Sequence, residues 1–131
     1  MMADFHSRYD YANYYIHNLP DTRYIKGDFM KFKEQPCDII TWFLPFLTEK
    51  PLLKWGLPLS YLAPEAMLKH AYKLLNSQGI ILLVNQTEEE KAKQLKLLEQ
   101  LEIESIEVSN SYTNHFSPFV YKRYITVVIK G

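Results

Sequence analysis

Two nearly unbroken apolar runs constrain this chain more than any other feature. Cys37 to Leu44 and Ile80 to Val84 each have the length of a strand, and neither alternates cleanly between polar and apolar residues. Strands of that kind are usually covered on both faces, which predicts a parallel sheet between helices. Between the runs, Met67, Leu68, Ala71, Leu74 and Leu75 recur at helical spacing behind Pro64, a residue suited to the first helical position. Asn76-Ser77-Gln78-Gly79 predicts the end of that helix, with Gly79 as its C-cap.

Around this centre the chain reads as further short elements. Ser7-Arg8-Tyr9-Asp10 predicts a helix start with Ser7 as N-cap, and the helix carries Tyr11, Tyr14, Tyr15 and Ile16 before Pro20 closes it. Thr22 to Lys26 alternates well enough for a strand, stopped at Gly27-Asp28, and direct pairing with Cys37–Leu44 is expected. Pro45 to Ala63 holds three prolines and little periodicity, the pattern of a long functional connection. Thr87-x-x-Glu90 is a capping box ahead of the stripe Leu95, Leu98, Leu101. Ile103 to Val108 and Tyr124 to Ile129 read as an antiparallel pair joined by the polar and aromatic segment Asn110 to Val120. The expectation is one α/β domain over residues 1–131.

Composition excludes several classes of function. The 131 residues carry 15 Lys plus Arg against 15 Asp plus Glu, a balance that argues against binding nucleic acid through its phosphates. Only four glycines occur, at Gly27, Gly56, Gly79 and Gly131, so no Gly-rich phosphate-cradling turn can form. The single cysteine, Cys37, rules out an internal disulfide and reads as a small buried hydrophobe, in keeping with a reducing, cytoplasmic compartment. His6, His17, His70 and His115 lack ligand spacing, so no metal site is expected. The chain opens without a leader pattern, and no apolar stretch approaches a membrane span.

Three landmarks keep a telling order. Gly27-Asp28-Phe29 follows a strand; Cys37-Asp38-Ile39-Ile40-Thr41 leads a second strand toward Pro45-Phe46; Leu74 to Val84 runs helix, Gly turn and buried strand. With the terminal antiparallel pair, this resembles the later part of a Rossmann-like S-adenosylmethionine-dependent methyltransferase. The resemblance takes in essentially the whole chain and about the last two-thirds of the family's domain. It implies a three-layer, mostly parallel sheet with an antiparallel terminal pair, truncated at the amino terminus.

The resemblance also implies roles. Asp4 falls where the family holds the cofactor's ribose hydroxyls, and Asp28 where it accepts from the adenine amine, with the Phe29 amide beside the ring. Thr41 and Trp42 fall where the fourth strand passes the methyl group. Leu44-Pro45-Phe46 is similar to the family's Asn/Asp-Pro-Pro-Tyr/Phe loop, although Phe43 replaces its polar first residue and Leu44 its first proline, a departure that argues against amino-group transfer. Trp42, Phe43, Pro45, Phe46 and Trp55, with Tyr61 nearby, would form the acceptor side for an unidentified small molecule or protein. The first strand and its Gly-rich turn have no counterpart here. The chain is thus expected to be a fragment, to be completed by a partner, or to have lost the reaction. Missing central strands also predict self-association, through a sheet edge or the loop around Trp55.

Each of these positions has a plainer role open to it. Asp28 can simply shape a turn, Asp4 can be a frayed terminal charge, and the aromatic set can be a lid on the core. Glu88-Glu89-Glu90 complements a helix dipole. The alternative to an enzyme is a non-catalytic interaction module on the same scaffold.

Overall fold

Both apolar runs are strands, and they lie side by side. The computed structural model describes residues 2–33, 36–113 and 122–131, with side chains for 10–33, 36–108 and 123–131. In chain order these form α1 (Met2–His17), a 3₁₀ turn (Phe29–Lys31), β1 (Cys37–Phe43), α2 (Glu49–Trp55), a second 3₁₀ turn (Leu59–Tyr61), α3 (Pro64–Leu74), β2 (Leu75–Asn85), α4 (Glu88–Gln100), β3 (Ser105–Thr113) and β4 (Lys122–Ile129). The sheet order is β1-β2-β4-β3. β1 runs parallel to β2, and β4 antiparallel to both β2 and β3, the α/β layout with an antiparallel finish that the sequence predicts. No helix among the described residues is long and apolar enough to cross a membrane.

One face of the sheet carries the core. Ile81 and Leu83 of β2 and Val128 of β4 pack with Leu68 and Ala71 of α3, Leu75, and Leu98 of α4, all essentially inaccessible. Ile40, Trp42, Leu95 and Leu101 pack against this cluster. Since α3 and α4 both serve the same cluster, the alternate residues of β1 turn away from it, and Ile39 and Phe43 are each 63% exposed. Ile106, Val108 and Ile129 are exposed as well. The expectation that β1 is covered on both faces is therefore corrected at β1: among the described residues Ile39, Thr41 and Phe43 lie exposed on the second face, although Val84, beside Phe43 on that face, is buried.

Other departures have local causes. α1 begins at Met2, ahead of Ser7, so Ser7 is not its cap. Thr22 to Lys26 forms no strand, and β1 pairs with β2 alone. Only ten residues separate Lys26 from Cys37, too few for a parallel crossover. Phe29 in that interval is anchored beneath the sheet, its ring 6.3 Å from Trp42 and 5.0 Å from His70. The connection Pro45–Ala63 is not structureless. It holds α2, whose Leu52 is fully buried and whose end is capped by Gly56 at φ 67°.

Gly79 is not the C-cap of α3. β2 starts at Leu75 with no intervening loop, and the left-handed residue is Gln78 at φ 65°. A distant lysine closes the helix instead: Lys130 Nζ donates to the carbonyls of Tyr72 (3.1 Å) and Leu75 (2.9 Å), placing a cation at the negative end of the helix dipole. The Asn76–Gln78 bulge is tied by Asn76 Nδ2 donating to Asp38 Oδ1 at 2.8 Å and by Gln78 N–H donating to Lys130 O at 2.7 Å.

The capping box of α4 is present in modified form. Thr87 Oγ1 accepts from Glu90 N–H at 3.1 Å, and Glu90 Oε2 accepts from Gln86 N–H at 3.0 Å rather than from the cap residue itself.

Beneath α4 the core contains polar groups. Thr126 is fully buried, and its Oγ1 has no hydrogen-bond partner among the described residues; the Asn85 side chain and Gln94 Oε1 are in the same condition. An unpaired buried polar group costs about 1–3 kcal/mol. Thr126→Val, which keeps the shape and removes the hydroxyl, is expected to stabilise the fold by about 1 kcal/mol in urea denaturation. A clear loss of stability would show that the hydroxyl is bonded in the folded chain.

Candidate functional site

The carboxyl ends of β1 and β2 are where a ligand would sit on an open α/β sheet. At this end β1 leaves the sheet through a strained turn. Leu44 has φ 55°, a left-handed conformation that costs a branched residue roughly 1–2 kcal/mol. The following Pro45 disfavours it further, because the residue before proline prefers extended backbone. The conformation is held by Leu44 N–H donating to Val84 O at 2.8 Å, and the Pro45 that follows is buried. Just beyond lies an open groove of about 540 Å³, between Leu47, Thr48 and Leu62 on one side and Thr87, Glu90 and Lys93 on the other.

The turn at Asp28 is built from one side chain. Asp28 caps the 3₁₀ turn Phe29–Lys31, its Oδ1 accepting from Met30 N–H at 2.9 Å, and the side chain is exposed. The ring of Phe29 points the other way, into the contact with Trp42 and His70. His70 is in turn fixed by its Nε2, 2.8 Å from the Phe32 carbonyl. Two clusters that the sequence separates by more than a dozen residues, Gly27-Asp28-Phe29 and the end of β1, are thus pinned together by aromatic packing. A carboxylate offers several acceptor positions, so the contact to Met30 leaves room for a donor from a ligand.

Solved structures share the fold that carries these elements. A precorrin-6y C5,15-methyltransferase from Geobacter metallireducens superposes with a TM-score of 0.50 at 15% identity, covering 75% of this chain and 46% of that one. The fold is that of the Rossmann-like methyltransferases. Lower similarity links the methyltransferase-like chain to an S-adenosylmethionine-dependent O-methyltransferase from Thermotoga maritima (TM-score 0.46, 16% identity, 79% of this chain and 37% of that one). A structure described as an rRNA methylase from Clostridium thermocellum is comparable (0.45, 17%, 82% and 56%). The chain therefore spans about half the length of the solved structures it matches, from 37% to 56%. No protein-family model matches the sequence, and no curated protein does.

The remaining expected residues distribute unevenly over this methyltransferase-like scaffold. Asp4 lies within α1 rather than at the end of a strand, and its side chain falls outside the described residues. Thr41 and Phe43 are exposed on the open face, whereas Trp42, between them, turns to the core. The aromatic set is therefore divided by the strand's own alternation and does not line one pocket. Phe46 and Tyr61 are exposed, and Trp55 is half-buried at the end of α2. Sequence reasoning missed His70, Thr48, Thr87 and Lys93. His70 had a usable signal, since it lies on the predicted helix two residues from the buried Leu68.

Proposed function

We propose that this chain is the carboxyl-side portion of an S-adenosylmethionine-dependent methyltransferase-like domain, acting on an unidentified acceptor. The observation that carries the reading is the docking of the Asp28–Phe29 turn onto Trp42 of β1, beside the strained exit of that strand. The cofactor supplies an electrophilic methyl group on a sulfonium. Asp28 would accept from its adenine amine and the Phe29 N–H would donate to the ring, with Asp4 at the ribose and Thr41 beside the methyl group. Phe43, Pro45, Phe46 and Trp55 would stand on the acceptor side. The adenine end thus fits donors and acceptors present here. For the methionine end, no glycine-rich turn is available in the sequence.

Calorimetry with S-adenosylmethionine and its demethylated product tests this. Asp28→Asn is the informative variant, because asparagine caps a turn as well as aspartate does but presents an amide toward an amine donor. Loss of a hydrogen bond to a charged acceptor is worth about 1.5–3 kcal/mol, so affinity is expected to fall at least tenfold while the far-ultraviolet spectrum stays the same. Equal binding by wild type and Asp28→Asn would leave Asp28 as a turn residue. Absence of binding at millimolar ligand would dismiss the cofactor reading altogether.

A second reading, a non-catalytic interaction module on this scaffold, is favoured by one observation: the open apolar face that contains Ile39, Phe43 and Ile106.

A further inference from the structure

We propose that β1 pairs with the β1 of a second copy of this chain, antiparallel and centred on Thr41. Among the described residues β1 has a single strand neighbour, β2, and no strand pairs with the other edge of Ile39–Phe43. The register of that edge follows from one bond. Leu44 N–H donates to Val84 O, so the even-numbered residues before it, Trp42 and Ile40, also turn their main-chain groups to β2. The N–H and C=O groups of Ile39, Thr41 and Phe43 consequently face outward.

A two-fold axis through Thr41 sets this residue against itself and Ile39 against Phe43 of the copy. In that register each opposed pair exchanges both N–H···O bonds, and every outward group of the three residues is satisfied. The same axis brings the Ile39 side chain of one copy beside Phe43 of the other, twice, on the face where both are 63% exposed. Apolar cross-strand pairs of this kind are the unit of sheet stabilisation.

The occupant is a second copy because the edge is self-complementary: Ile39, Thr41 and Phe43 read apolar, small, apolar in either direction. Natural edges are blunted by lysine, proline or inward charge. Cys37–Phe43 contains no lysine, arginine or proline, and its one charge, Asp38, sits at the start of the strand, bonded to Asn76. A formal net charge of zero adds no long-range repulsion between copies. This pairing rests on the interaction reading and uses Thr41 and Phe43, which the cofactor reading assigns to the methyl group and the acceptor; sedimentation reads the pairing and calorimetry the cofactor, so the two readings fail separately.

Sedimentation velocity of the full chain at tens of micromolar is expected to show a dimer. Ile39→Lys, at a largely exposed position, is expected to be monomeric with an unchanged far-ultraviolet spectrum. Register is read by oxidation in a Cys37→Ala background. Thr41→Cys is expected to link to its own copy, since opposed Cα atoms about 5.5 Å apart suit a disulfide. Ile39→Cys is expected not to link to itself, its copy being about 14 Å away along the strand, but to link to Phe43→Cys when the two are mixed. Should Cys37→Ala fail to fold, the Ile39→Lys comparison decides alone. The proposal is overturned by a monomeric wild type, by a dimer that Ile39→Lys leaves intact, or by self-linking of Ile39→Cys as efficient as that of Thr41→Cys. A wild type that stays monomeric and pairs only with a foreign polypeptide also overturns it.

Discussion

Leu83→Ala is expected to destabilise the chain by about 3 kcal/mol, within the range of about 2–5 kcal/mol found for buried leucines. Leu83 is fully inaccessible at the centre of β2, opposite Trp42 of β1 and Thr126 of β4, inside the cluster shared with α3 and α4. Strands on both sides fix its surroundings, so the vacated space cannot collapse easily and repacking recovers little of the loss. Domains of this size are stable by only about 5–15 kcal/mol in total, so a single truncation consumes a large fraction. Leu82→Ala is the paired control. Its side chain points to the open face and is half-buried, and the expected loss is about 1 kcal/mol. Urea denaturation followed by the fluorescence of Trp42, which packs on the same cluster, measures both. Equal losses would mean that the second face is covered in solution.

That comparison also marks how far the sequence could be read. β1, β2, α3, α4 and the β3–β4 pair were legible because each is written in local periodicity, and the Thr87 cap because its partner lies three residues away. Which face the helices cover was not. An apolar strand records only that both faces could be buried, and the choice depends on where α3 and α4 pack together. The end of α3 was misread for a related reason. Its cap is Lys130, 55 residues from Leu75, and no local pattern announces a contact at that separation.

The candidate site shows the same division. Asp28 beside Gly27 was readable as a turn, and it is one. The docking of that turn on Trp42 was not, since it rests on Phe29 and His70 meeting across 41 residues of chain. The separation of Trp42 from Phe43 could have been read from strand alternation alone. Treating the aromatic residues as one set obscured it.

Gly79→Ala is expected to cost about 2–3 kcal/mol, the upper part of the range for overpacking a tight site. Its backbone conformation is not the reason, since the left-handed residue here is Gln78. The reason is space. A Cβ at position 79 would lie 2.8 Å from the Asn76 carbonyl oxygen, 3.1 Å from the Asp38 carbonyl oxygen and 3.2 Å from Leu75 Cδ2. Two of these three neighbours are main-chain atoms, which cannot rotate aside. Relief requires moving either the Asn76–Gln78 bulge, held by Asp38 and Lys130, or the first residues of β1. Gly27→Ala is the control, with no atom within 4 Å of the added methyl, and is expected to change stability by less than about 0.5 kcal/mol. Thermal or urea denaturation of both variants measures the difference. Because the displaced Asp38 carbonyl belongs to β1, Gly79→Ala is also expected to weaken association between copies, while Gly27→Ala leaves it unchanged. A Gly79→Ala chain as stable as wild type would show that the start of β1 yields freely, and a strand so loosely seated could not present Ile39, Thr41 and Phe43 in fixed register to a partner.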